Sequence, residues 1–218
     1  MKQTIVKKIL TALGILSSIY YLYMRYEHSN QSNELKSIVK IYNEGYLDSC
    51  EVLLLNFTKT YPNNFGGWNF LGNVYIYDHR DSLAEPAYRR SLEIKKENVQ
   101  ALTGLGIIAR LRKNYKEAEY LYERAIEIDP KFAQSYSSLV ILKIINKNYA
   151  AAVELGEKAW RLNQNELGIG GNLALAYHYN NMPKKRDSLF LLLENRGYKY
   201  LPNLKMVANG MATLEFFQ

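Results

Sequence analysis

The feature of this sequence that most constrains its fold is a recurrence of residue types every 34 positions. Leucine recurs as Leu71, Leu105, Leu139 and Leu173, and alanine as Ala84, Ala118 and Ala152. The spacing holds without insertion from residue 31 to residue 200, which predicts a stack of five similar units. Each unit of such an array buries its apolar face only against its neighbours, so the fold grows along one direction.

Two stretches identify the kind of unit. Trp68, Leu71, Gly72 and Tyr75 follow the spacing W-x2-L-G-x2-Y. The run KNYKEAEYLYERAIEIDP then places small residues at Ala118 and Ala125 and closes at Pro130. These motifs closely resemble the tetratricopeptide repeat, a helix pair with small residues at the crossing and proline after the second helix. The resemblance implies repeats at 31–64, 65–98, 99–132, 133–166 and 167–200.

Some positions fit this pattern and others depart from it. Gly72 and Gly106 are expected to let two helices approach closely, and Cys50 takes a place that needs a small buried residue. Pro86 falls inside a predicted second helix, where it removes one backbone hydrogen bond and is expected to kink the helix. Arg186 stands where a small residue is expected, so whether the two helices of the last unit pair stays open.

The segment 201–218 carries one apolar stripe after Asn203, which is a suitable helix N-cap. Its apolar residues lie three and four positions apart: Leu204, Val207, Met211, Leu214 and Phe217. The stripe predicts a terminal helix that covers the exposed end of the last repeat. The expected fold class is therefore all-α, an α-solenoid of about five tetratricopeptide-type helix pairs with a C-terminal capping helix and one N-terminal membrane helix.

The membrane helix is predicted from the first 26 residues, which carry no charge from Ile9 to Met24. If Lys7 and Lys8 reach the headgroups, the apolar run covers residues 5–24, long enough to span a bilayer. A linker at 27–30 follows. Three interpretations are open: an uncleaved signal anchor, a cleaved signal peptide and a soluble first helix. We favour the anchor because bulky residues follow the apolar core, where signal cleavage requires small ones.

Charge then predicts the orientation of that segment. Lys2, Lys7 and Lys8 precede the apolar run and outweigh Arg25 on the other side. By the positive-inside rule the N-terminus lies in the cytoplasm and the repeats lie outside it, in the periplasm if the source is bacterial.

Composition argues against several classes of function. The net charge of +7 is spread along the chain without a dense basic stripe, so no nucleic-acid partner is expected. Cys50 is the single cysteine, which rules out an intrachain disulfide or a cysteine metal cluster. The stretch at 78–81, DHRD, is typical of a polar turn between two helices. The stretch at 168–172, GIGGN, is not a phosphate-binding loop, because no predicted strand precedes it and no Lys-Ser or Lys-Thr pair follows it. We predict no catalytic residue, no metal and no cofactor.

A groove remains as the candidate site. The resemblance implies that the first helices of the pairs line it, through the following candidate partner-binding residues. They are Asn69, Asn73, Tyr77, Thr103, Ile107, Arg110, Ser137, Ile141, Ile144, Leu175 and His178. Some family members hold a C-terminal carboxylate with lysine and arginine beside two asparagines, but here the required lysine and arginine are absent. The mixed surface suits an extended or helical peptide with apolar anchors; alternatively, Ile141 and Ile144 are ordinary packing residues.

The expected function is that of a non-catalytic, membrane-tethered scaffold that binds a peptide or protein segment in the groove. Assembly of an envelope or secretion complex would fit this role. The alternative is a soluble periplasmic chaperone-like or carrier protein after signal cleavage. A third interpretation places the solenoid in the cytoplasm, as in membrane-anchored import receptors of organelles. The partner is another protein or peptide, and a homodimer through the solenoid ends stays open.

Overall fold

The computed structural model describes residues 29–212, and this part of the chain consists of eleven helices without a strand. The helices are α1 at 29–43, α2 Leu47–Thr60, α3 Phe65–Tyr77, α4 Asp81–Ile94, α5 Val99–Leu111, α6 Tyr115–Ile128, α7 Ala133–Ile145, α8 Tyr149–Leu162, α9 Leu167–Tyr179, α10 Pro183–Asn195 and α11 Leu201–Ala208. None of the helices within these residues is both long and apolar enough to span a membrane. The predicted membrane segment 5–24 lies outside the described residues.

The helices form consecutive antiparallel pairs, α1–α2 to α9–α10, and each pair packs on the next. Within each pair the turn contains one residue with a left-handed backbone, at the same place in every unit. These residues are Gly45 (φ 91°), His79 (56°), Lys113 (62°), Lys147 (59°) and Asn181 (54°). Two of the four connections between pairs end in an asparagine cap, Asn64 before α3 and Asn98 before α5, whereas α7 and α9 begin without a side-chain cap. The side chain of Asn98, for example, accepts hydrogen bonds from the backbone N–H groups of Gln100 and Ala101.

Small residues set the distance between helices, as the sequence predicts. A Cβ added to Gly72 would lie 2.6 Å from Cε1 of Tyr88, and one added to Gly106 would lie 2.4 Å from Cε1 of Tyr122. A Cβ on Gly104 would also collide with Tyr88, at 2.4 Å from Cζ. The buried ring of Tyr88 therefore fills a slot between α3 and α5 that exists only because both helices carry glycine there.

Pro86 and Arg186, the two departures from the repeat pattern, both lie within regular helices of the structure. Helix α4 continues through Pro86 from Asp81 to Ile94, and the predicted kink stays a prediction. The pairing of the last unit, which Arg186 put in doubt, is present in the structure. Helix α10 packs on α9 through buried Phe190 and Leu193, and the Arg186 guanidinium carbon lies 5.9 Å from the centroid of the Phe190 ring. The same guanidinium lies 3.3 Å from Nδ1 of His178, so its polar end finds a partner on α9.

The C-terminal helix is shorter than the stripe predicts. It begins after Tyr200 rather than at an Asn203 cap, and it ends at Ala208, just before the left-handed Gly210 (φ 70°). Leu204 and Val207 are buried in a cluster with residues of α9 and α10, whereas Met211 is 66% exposed. Among the described residues of the stripe, Leu204 and Val207 contribute to packing and Met211 does not; Leu214 and Phe217 lie outside the described range.

Candidate partner-binding groove

The first helices α3, α5, α7 and α9 lie side by side and line a cavity of about 630 Å³. Its apolar side chains are Ile76, Ile107, Ile141 and Leu175. Its polar side chains on the same helices are Tyr77, Arg110, Gln134, Ser138 and Asn172. His79, in the turn after α3, and four residues after α10 complete the wall; those four are Tyr198, Tyr200, Asn203 and Leu204. A space of this size is typical of ligand pockets in proteins.

The structure divides the candidate groove residues into two groups. Those that line the cavity are Tyr77, Ile107, Arg110, Ile141 and Leu175. Those buried in the contacts between helices are Asn69, Thr103, Ser137 and Ile144. Ile144 belongs to an apolar cluster with residues of α8, α9 and α10. It is therefore a packing residue, which was the alternative to a role in binding.

Asn73 and His178 lie outside both groups. Asn73 is exposed, and its Oδ1 accepts a hydrogen bond of 2.7 Å from the hydroxyl of buried Tyr88. His178 is half-buried next to Arg186. Burial, and secondarily the charge of Arg186, lowers the pKa of His178, which disfavours the charged form of its ring.

The buried polar candidates form a seam of hydrogen bonds between successive first helices. Asn69 Nδ2 on α3 donates to Gln100 Oε1 on α5 over 3.3 Å, and the hydroxyls of Thr103 and Ser135 lie 2.8 Å apart between α5 and α7. Asn172 Nδ2 on α9 donates to Ser137 Oγ on α7 over 3.0 Å. These hydrogen bonds therefore link successive first helices; Asn69, Thr103 and Ser137 are buried in that contact, whereas Asn172 also lines the cavity.

A contact between Tyr77, Lys199 and Tyr200 joins residues 122 positions apart and closes one side of the groove. Lys199 Nζ donates to the Tyr77 hydroxyl over 3.0 Å, and the hydroxyls of Tyr77 and Tyr200 lie 3.4 Å apart. The ammonium also lies 5.5 Å from the ring centroid of Tyr77 and 4.8 Å from that of Tyr200. The hydrogen bonds from Lys199 and Tyr200 lower the pKa of Tyr77. We name this contact the clasp.

The cavity has a positive electrostatic character. None of its lining residues in the described structure is acidic, whereas Arg110 is half-buried in its wall. Next to Arg110, burial raises the pKa of Tyr122 to about 12, so its hydroxyl stays protonated at neutral pH. The guanidinium of Arg110 can offer hydrogen-bond donors to a ligand, whereas the Tyr122 hydroxyl is fully buried and does not line the cavity.

Other sequence motifs have structural roles. In the 78–81 turn, Arg80 pairs with Glu51 at 2.6 Å and with Asp78 at 2.6 Å, and His79 is the left-handed turn residue. Cys50 is fully buried. The described residues contain no group of three or more histidine, cysteine or acidic side chains placed to hold a metal ion.

Two glycines of the 168–172 motif, Gly170 and Gly171, are packed against the protein itself, whereas a Cβ added to Gly168 would meet nothing within 4 Å. An added Cβ would lie 2.9 Å from Trp160 Cζ3 at Gly170 and 2.8 Å from the Tyr198 hydroxyl at Gly171. Tyr198 lines the groove. The glycine at 171 therefore gives room for a wall residue of the groove, which the sequence motif alone did not reveal.

Comparison with known proteins supports the repeat class. Residues 99–132 match the sequence model of the tetratricopeptide repeat. No curated protein sequence matches the chain. Among solved structures, a thermophilic TPR protein of Thermus thermophilus has a TM-score of 0.70 at 14% identity, covering 83% of this chain and 98% of its own. The fold of the described chain is therefore that of a tetratricopeptide repeat solenoid.

Two further structures show the range of proteins that contain this fold. Pseudomonas aeruginosa PilF has a TM-score of 0.61 at 20% identity, with 77% of this chain and 76% of that chain covered. A Thermobaculum terrenum O-GlcNAc transferase has a TM-score of 0.55 at 23% identity, with 61% of this chain but 26% of that chain covered. At these identities the likeness concerns the fold alone.

Proposed function

We propose that the chain is a non-catalytic scaffold that binds a segment of another protein in the groove. Tetratricopeptide repeat proteins generally mediate protein–protein interactions, and the observation that supports this role here is the cavity itself. Four successive first helices build it, and it combines apolar side chains with a few polar groups. A peptide segment can bury its apolar residues on such a surface while the polar groups fix its orientation.

The proposal includes a membrane tether through residues 5–24, with the N-terminus in the cytoplasm and the repeats outside it. Its support is the uncharged run from Ile9 to Met24 and the lysines before it. In this setting the scaffold would serve the assembly of an envelope or secretion complex. Mass spectrometry of the mature N-terminus tests the tether, since a chain that starts near Ile19 would be a cleaved, soluble carrier. A C-terminal reporter fusion tests on which side of the membrane the repeats lie.

Site-specific photocrosslinking tests the groove. A photoreactive phenylalanine analogue replaces Tyr77, which is 43% exposed at the cavity, or Tyr120, which is 56% exposed on second helix α6 and does not line the cavity. We expect a discrete crosslinked product from position 77 in native membranes and none from position 120. A product only from position 120 would place the interface on the outer helices and refute the groove as the site. A product of twice the chain mass would identify a second copy as the partner.

A further inference from the structure

Arg110 differs from most arginines of the described chain in its ionic environment. Seven others form ion pairs with carboxylates: Arg80, Arg89, Arg90, Arg112, Arg124, Arg161 and Arg186. Arg196 is exposed and donates to the carbonyl of Gln164. Arg110 is half-buried, has no ion pair in the described structure, and lines a cavity whose walls contain no acidic residue. Its guanidinium is thus partly removed from water without a compensating negative charge.

The surroundings of Arg110 favour a carboxylate over other neutralising groups. A guanidinium presents a planar array of N–H donors that matches a carboxylate in a bidentate geometry. Ser138 on the neighbouring helix α7 adds a hydroxyl to the same wall of the cavity. On either side of Arg110 the surface is apolar, with Ile107 on the same helix and Ile141 on α7. Low polarity on both sides strengthens an ion pair formed between them.

The position of Arg110 along the groove indicates where the carboxylate belongs in the bound segment. Arg110 lies on α5, and the cavity continues past it towards Tyr77 on α3 and towards Leu175 on α9. A bound chain can therefore extend in both directions from this point. This favours an internal aspartate or glutamate side chain over the carboxylate at a chain terminus.

We propose that the segment bound in the groove carries an internal acidic side chain that pairs with Arg110, with apolar neighbours that pack on Ile107 and Ile141. The inference rests on the proposed function and adds the chemistry of the partner. Because a hydrogen bond to a charged group is worth more than a neutral one, the acidic form of a bound peptide should bind about ten-fold more tightly than its amide counterpart.

A random peptide library fused to carrier protein at both ends tests the inference and requires no identified partner. With both termini blocked, only side chains can supply a carboxylate. Selection on the full chain should enrich sequences with one aspartate or glutamate flanked by apolar residues. An enriched peptide is then synthesised in two forms: the acidic form keeps its aspartate or glutamate, and the amide form has asparagine or glutamine in that place. The affinity of the chain for each form is measured by fluorescence anisotropy.

Two variants locate the effect. Arg110→Gln should abolish the ten-fold preference for the acidic peptide. Arg112→Gln should leave the preference intact, because Arg112 does not line the cavity and pairs with Glu85 at 2.6 Å. Circular dichroism checks that both variants keep the helical fold.

The possible outcomes distinguish a failure of the proposed groove function from a failure of the proposed acidic anchor. If no enriched peptide crosslinks to a photoreactive residue at Tyr77, the groove function itself fails. If groove-bound peptides show no preference for an acidic residue, or if the preference survives Arg110→Gln, the acidic anchor is refuted while the groove function stands. Selection of acidic peptides whose preference is lost in Arg112→Gln instead would also refute it.

Discussion

Replacement of Gly106 by alanine should destabilise the protein, although alanine is the better helix former. Gly106 lies inside α5, where the change gains about 1 kcal/mol from intrinsic helix propensity. Against this gain, the new Cβ would lie 2.4 Å from Cε1, 2.7 Å from Cδ1 and 3.1 Å from Cζ of Tyr122. Contacts between carbon atoms are optimal at about 3.5–4.0 Å, so the two groups would overlap severely.

The environment of Tyr122 makes this overlap costly. The ring is fully buried on α6, so it can withdraw only if its neighbours also move. Overpacking of this kind costs about 1–3 kcal/mol and occasionally more, and the extreme overlap points to the upper part of that range. After the propensity gain is subtracted, we expect a loss of about 1–2 kcal/mol in the free energy of unfolding.

Urea denaturation followed by circular dichroism measures the change, with Gly168→Ala as the matched control. Gly168 is also in a helix, but an added Cβ would meet nothing within 4 Å. The control should therefore show no loss of stability. In the double variant Gly106→Ala with Tyr122→Leu, the loss should be less than the sum of the two single losses, because the shorter side chain removes the collision. A stabilised Gly106→Ala protein would refute the close approach of α5 and α6 at this point.

Three other predictions concern individual contacts. Ser91→Ala should lower the free energy of unfolding by about 1–3 kcal/mol in urea denaturation, because the buried hydroxyl donates to the Phe65 carbonyl over 2.8 Å and accepts from Asn98. Lys113→Gly should raise it by about 0.5–1 kcal/mol in the same assay, since residue 113 has a φ of 62°. The hydrogen bond from Arg80 lowers the pKa of Glu51 below its ordinary value of 4.5, so this carboxylate stabilises the fold above that pH and the stabilisation is lost as the pH falls through the lowered value.

Each of these predictions has a control. Ser188 is exposed and bonds only within its own helix, so Ser188→Ala should change stability little. Lys116→Gly, three residues on in the exposed part of α6, should lower stability, and a loss at position 113 of the same size would contradict the argument from backbone geometry. Arg80→Gln should weaken the pH dependence of the urea midpoint below 4.5; an unchanged pH profile would show that the pair with Glu51 does not contribute.

The repeat fold could be predicted from sequence because its determinants are local and recur. Gly72 and Tyr88 stand at fixed places of one unit, and their equivalents Gly106 and Tyr122 make the same contact in the next. A period of 34 residues also places the left-handed turn residue, which is a glycine only at Gly45. Because four units tolerate other residue types there, composition alone does not mark these turns.

The groove was only partly predictable, for a geometric reason. The position of a residue in its unit indicates which face of a first helix it occupies, and Ile107, Arg110 and Ile141 do line the cavity. Residues at the border of that face meet the adjacent first helix instead. Thr103 and Ser137 are short enough to be enclosed by that contact, and a periodic pattern does not separate the two situations.

The clasp could not be predicted from the repeat pattern at all. It depends on the curvature of the whole array, which is the sum of small rotations between successive units. Nothing in the local sequence of Tyr77 or Lys199 indicates that they meet 122 positions apart.

The clasp also alters how such an array should respond to stress. In an open solenoid each unit interacts only with its neighbours, so the terminal units can unravel independently of the middle ones. Here a side chain of α3 holds the segment that precedes α11, and the folded units between them keep the two partners at a high effective concentration. The clasp closes the array into a loop, so unfolding at its C-terminal end is coupled to the stability of the second unit.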